Sequence, residues 1–77
     1  MAMDEAEAHL KEKIAQLKAV REALGWSQEH CAHELGVTFS SLHRWEHGEV
    51  LPRSEVILRA IDEFIAKHEP TIHQGGE

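Results

Sequence analysis

Between Thr38 and His47 the chain gathers hydroxyls, imidazoles and a guanidinium: Thr38, Ser40, Ser41, His43, Arg44 and His47. Arginine carries a planar fork of donors that fits paired acceptors, whether guanine O6 and N7 or phosphate oxygens. Hydroxyls donate and accept singly, and imidazole does either. On a helix, residues four apart share a face, which joins Ser40 to Arg44 and Phe39 to His43. Such a face could read base edges in a DNA major groove, and taken alone it could equally be a solvated surface. Two other chemistries are weaker. His30 and His33, His43 and His47, with Cys31 nearby, have spacings that suit a metal on a helix. Cys31 falls in an apolar slot, however, and no second cysteine accompanies it, so no metal or cofactor is expected. No nucleophile elbow, phosphate loop or ligand set accompanies the serines, histidines and acids, so no catalysis is expected.

The elements that must position these residues can be read from period and punctuation. Gln28 to His47 has the form of two short helices joined by a glycine turn. Counted from Gln28, small Ala32 is fifth, where two steeply crossed helices touch, and Gly36 is ninth, where the turn needs positive φ. Cys31, Leu35, Val37, Leu42 and Trp45 supply the apolar side of the pair. Upstream, Leu10, Ile14, Leu17, Val20 and Leu24 recur at three and four, predicting a helix over 4–24 that Asp4 caps and Gly25 ends, after a frayed 1–3. Ser27 caps a helix over 28–35, and Trp26 is placed to staple back onto it. Thr38 caps a third helix over 39–47, closed by Gly48. After a loop, Ser54 or Pro52 opens a fourth over 54–68, with Val56, Ile57, Ala60, Ile61, Phe64 and Ile65 on a broad apolar face. Pro70 is expected to stop it, leaving 70–77 as a flexible tail.

The chain of 77 residues makes one small all-α domain, too short to bury more than about 60% of its unfolded surface. Its single cysteine and lack of an apolar leader suggest a reducing cytoplasm. No apolar run approaches the ~20 residues of a membrane span. The net charge of −6 is the wrong sign for a polyanion partner. Its distribution matters more: residues 1–13 carry −2, residues 54–77 carry −3, and residues 14–53 only −1. Protonating all seven histidines would bring −6 to +1. Charge gained by His43 and His47 beside phosphates is therefore expected to strengthen binding at low pH.

Three phrases of the chain, Leu24-Gly25-Trp26-Ser27-Gln28, then Ala32 with Leu35-Gly36-Val37-Thr38, and Arg44-Trp45-Glu46-His47-Gly48, stand in one continuous run. That run resembles the phage-repressor-like (XRE-type) helix-turn-helix family that includes Cro and lambda repressor. The resemblance covers roughly residues 14 to 66. It implies a lambda-repressor-like four-helix fold and specific binding to duplex DNA as a dimer on a palindromic operator, regulating transcription. By position, it implies that Gln28 reaches a phosphate and buttresses the recognition helix, and that Thr38, Phe39, Ser40, Ser41, His43, Arg44 and His47 face the DNA. Arg44 is the candidate for guanine, with Ser40 beside it at the base edges and the Thr38 and Ser41 hydroxyls on phosphate. Arg21 and Glu46 match a family position pair that joins the first helix to the end of the third, implying a structural salt bridge.

Several features depart from the family pattern. Phe39 stands where a polar base reader is usual. The loop after Gly48 reads Glu49-Val50-Leu51, leaving Arg53 as the nearby phosphate contact. The first helix extends two to three turns further back, and no fifth helix follows. That extension, or Ile57, Ile61, Phe64 and Ile65, is a candidate dimer contact. Phe39 and the acidic ends also suit a rival reading, a protein-interaction module or antitoxin-like adaptor on the same scaffold.

Overall fold

A computed structural model describes the backbone of residues 2–75 and the side chains of residues 5–69. Four helices follow in order: α1 Ala2–Leu24, α2 Gln28–Leu35, α3 Phe39–Glu46 and α4 Glu55–Gly75, with no strand among the described residues. Each apolar stripe turns toward one core. Ile14, Leu17 and Val20 come from α1, Cys31 and Ala32 from α2, Leu42 and Trp45 from α3, and Ile61, Phe64 and Ile65 from α4. Leu17, Leu42 and Ile61 have no exposed surface. Each such side chain contributes about 1.5–3 kcal/mol on burial, a large share of a small domain's total of roughly 5 kcal/mol or a little more.

Helices α1, α2 and α3 end in the same way. The amide just past the closing glycine bonds back to the carbonyl five residues earlier: Trp26 to Arg21 at 3.1 Å, Val37 to Ala32 at 3.0 Å and Glu49 to Arg44 at 2.9 Å. This is the Schellman closure, which needs a left-handed residue at the bend. Gly36 supplies it between α2 and α3 with φ 81°. An added Cβ there would meet nothing within 4 Å, so the requirement for glycine is set by φ and not by crowding. At the other ends, Ser27 caps α2 by accepting from the His30 amide at 3.1 Å, and Thr38 caps α3 by accepting from Ser41 at 3.0 Å. Ser54 does this for α4, accepting from Ile57 at 3.4 Å, so Pro52 precedes the cap and is itself buried.

The structure corrects several expectations. α1 begins at Ala2, which puts Asp4 within the first turn and not at the cap. Alanine propagates a helix well, so the helix can begin ahead of Asp4. α3 ends at Glu46, with His47 as its cap. α4 does not stop at Pro70 but continues to Gly75. Proline's fixed φ is helical, so a helix can pass through it with the loss of one backbone bond and a steric penalty of about 3 kcal/mol. The rest of the expected tail, 76–77, lies outside the described residues. Val56 is 79% exposed, so the apolar face of α4 is narrower than its composition suggests. Adjacent helical positions differ by about 100°, and Ile57, half-buried, takes the core side. Ile61, Phe64 and Ile65 are consumed by the core of their own chain, which removes them as a dimer contact.

Cys31 sits at the centre of the core with no exposed surface, and burial pushes its thiol up to about 11. An unfolded thiol ionises near ~8.5, so at alkaline pH the unfolded chain releases its proton first. Stability should therefore be intact below pH ~8.5 and fall as pH rises toward about 11, by on the order of 2–3 kcal/mol. Urea unfolding at pH 8, 9 and 10 checks this: the decline should be absent from Cys31→Ala, and an equal decline in both proteins would exclude the thiol as its source.

Candidate nucleic-acid interface

The orientation of α3 is set from beneath. Leu42 and Trp45 anchor its inner face in the core, while Glu46, at its last turn, has a side chain only 2% exposed. A buried carboxylate needs donors in place of water, and three supply them. Arg21 from α1 grips it with two parallel bonds, Nε to Oε2 and Nη2 to Oε1, both 2.9 Å. Gln28, the first residue of α2, donates Nε2 to Oε1 at 2.8 Å. The third guanidinium nitrogen, Nη1, donates to the Trp26 carbonyl at 2.9 Å. The bond to Glu46 raises the Arg21 guanidinium further above its ordinary value, so Arg21 stays charged. Helices α1, α2 and α3 thus meet at one carboxylate.

The network continues outward with forced donor and acceptor roles. Because Glu46 only accepts, Gln28 must turn its amide nitrogen inward and its oxygen outward. That oxygen lies 3.2 Å from His43 Nδ1, which therefore donates. His47 Nδ1 lies 2.9 Å from the His43 carbonyl and must donate as well. The rings of Phe39, His43 and His47 follow one another along α3, with centroids 5.6 and then 3.9 Å apart. Phe39 is 47% exposed at the start of this row.

The polar residues of the α3 face are arranged unequally. Ser40 and Arg44 are exposed on the outer surface. Thr38 and Ser41 are occupied with each other: the Thr38 hydroxyl donates to Ser41 Oγ at 2.9 Å while accepting the Ser41 amide. Of the two hydroxyl protons, only that of Ser41 is left for a phosphate. Gln28 is turned into the Glu46 network, which serves the buttressing role and occupies both ends of its amide. Arg44 lies beside Glu49, Nε to Oε1 3.6 Å, a contact that the composition of the loop does not reveal. Arg53 is exposed and lines a groove with Lys11 and Lys18 of α1 and with Gly48 and Glu49 past the end of α3.

Two further positioning contacts escape a reading by period. Trp26 stacks on His30 at 4.1 Å and also meets Phe64 and His68 at 5.8 and 5.2 Å, clamping the start of α2 against α4. Lys13 pairs with Asp62, and the Gln16 amide donates to Glu69 at 3.3 Å, which ties α1 to α4 along the surface. Among the described residues, no group of three or more histidines, cysteines or acids is placed to hold a metal ion.

The Glu46 junction predicts its own sensitivity. Glu46→Gln removes the charge and leaves the part-buried Arg21 without its anion, and breaking a fully buried pair by removing one partner costs about 3–5 kcal/mol, an upper bound here. Chemical denaturation should show most of that loss. Removing both partners with apolar replacements, Arg21→Met and Glu46→Leu, should cost less than the single change, and a double variant worse than the single one would refute the assignment.

A family model described as a helix-turn-helix domain matches residues 15–64, well over half of the chain. No curated protein and no solved structure is significantly similar to it. The matched span contains the two-helix unit α2–α3, its Gly36 turn, the Glu46 junction and the core residues Leu17 and Val20 of α1 and Ile61 and Phe64 of α4, with Ile14 and Ile65 just outside it. By that match and this geometry, the chain belongs to the helix-turn-helix domain family of DNA-binding modules.

Proposed function

We propose that the chain binds double-stranded DNA sequence-specifically by laying α3 in the major groove, and that it acts as a dimeric transcriptional regulator of the phage-repressor-like kind on a palindromic operator. The observation that carries this reading is the two-sidedness of α3. Leu42, Trp45 and Glu46 hold its inner side rigidly, and Ser40 and Arg44 stand exposed on the outer side. A side chain on a rigid helix loses little entropy on reaching a base edge, which favours discrimination. In this reading Arg44 contacts guanine, Ser40 and His43 flank it, and Ser41, His47 and Arg53 attend to the backbone. The reading has no catalytic step and no cofactor.

The acidic ends limit general phosphate attraction. Residues 14–53 hold four basic and five acidic side chains. Affinity per chain is then modest, and pairing of two chains on adjacent half-sites supplies the rest. A reducing cytoplasm is the proposed setting, supported by a lone cysteine buried in the core. No described helix is long and apolar enough to cross a membrane. The second reading, an antitoxin-like or adaptor module with a protein partner, is favoured by one observation, the exposed aromatic ring of Phe39 at the front of α3.

Selection of bound duplexes from a random pool should return a palindromic half-site. Arg44→Ala should then relax preference at one position by about 1–3 kcal/mol, whereas Arg53→Ala should weaken all sequences alike and lower the salt slope by about 1. No retained duplex at ~50 mM salt, together with tight binding of a protein partner through Phe39, would establish the second reading instead.

A further inference from the structure

We infer that Glu49 is a positioning residue for Arg44, holding one edge of its guanidinium so that the other edge faces a guanine. The inference rests on the reading of α3 as the base-reading helix. Gly48, with φ 78°, closes α3 by donating to the Trp45 carbonyl at 3.1 Å, and Glu49 donates to the Arg44 carbonyl at 2.9 Å. This closure brings the residue after the glycine over the residue five before it, wherever it occurs. The pair that meets there is commonly apolar. At the ends of α1 and α2 the corresponding later residues are Trp26 and Val37, both apolar and packed against the core. At the end of α3 the slot holds an acid over a base.

The contact joins Glu49 Oε1 to Arg44 Nε, at 3.6 Å, between side chains 56% and 52% exposed. At that distance it is a Coulombic contact and not a formed hydrogen bond, so the carboxylate biases the guanidinium without locking it. A guanidinium has two edges that can make a paired contact, one through Nε and one Nη, the other through both Nη atoms. With Glu49 on the Nε side, the pair of Nη donors remains for guanine O6 and N7. The same carboxylate neutralises Arg44 toward phosphates, which carry no sequence information. Glu49 therefore acts in two directions, weakening indiscriminate attachment and favouring one orientation of the reader.

Glu49→Gln tests this, because the cap is made by the backbone amide and survives the change. On random-sequence duplex the variant should bind tighter than the wild type, by roughly two- to fivefold, since exposed pairs of this kind are worth at most about one kilocalorie. On the selected site, preference at the position relaxed by Arg44→Ala should fall by a similar factor, with other positions unchanged. Glu29→Gln, which removes an acid from α2 away from Arg44, should leave that preference intact. Unfolding midpoints should match the wild type. Unaltered preference in Glu49→Gln, or a loss spread evenly over all positions, overturns the inference while leaving DNA reading in place. A wild type that retains no duplex overturns both.

Discussion

The carboxylate of Glu46 is taken almost wholly out of water, and a buried anion is tolerated only where fixed donors replace its hydration. Here the donors come from two other helices, Arg21 of α1 and Gln28 of α2. A displacement of α3 by an ångström or two would strand a charge, so the junction penalises misplacement more steeply than apolar contacts do. Hydrophobic burial supplies most of the stability of such a domain, but it is non-directional. The three-helix ionic junction adds direction, and with it a defined pose for the outer face of α3.

Much of the scaffold was legible because it depends on neighbours in the chain. The glycine turn at Gly36, the caps at Ser27 and Thr38 and the stripe Ile14, Leu17, Val20 all follow from local rules of spacing and φ. What could not be read depends on contacts through space. The path from Glu46 through Gln28 to His43 requires knowing which atoms meet, and so does the clamp of Trp26 on Phe64 and His68. The passage of α4 through Pro70 overrode a local rule, and the exposure of Val56 shows that composition alone overstates a face. Of the candidate site, the identity of the outward residues was readable; their occupancy was not, as the mutual bond of Thr38 and Ser41 illustrates.

The electrostatics of the molecule divide by location. The chain as a whole is acidic, and its excess lies toward the two ends, beyond the two-helix unit. Long-range attraction to a polyanion is correspondingly small at a Debye length of about 8–10 Å. A domain of this kind depends on short-range complementarity more than on charge. The residues of α1 ahead of the family match, 2–14, span about 20 Å of helix and carry most of the first acidic segment.

The glycine closures at the ends of α1, α2 and α3 have a consequence for angle as well as for length. A helix that gains or loses one residue of register turns its faces by about 100°. For α3 that turn would carry Arg44 toward the buried place of Trp45 and Trp45 toward the place of Glu46, against Arg21 and Gln28. By fixing where the helix stops, Gly48 and the bond from Glu49 to Arg44 also fix how it is rotated. The end of the helix is thus its azimuthal stop, a bearing against which the whole outer face is set.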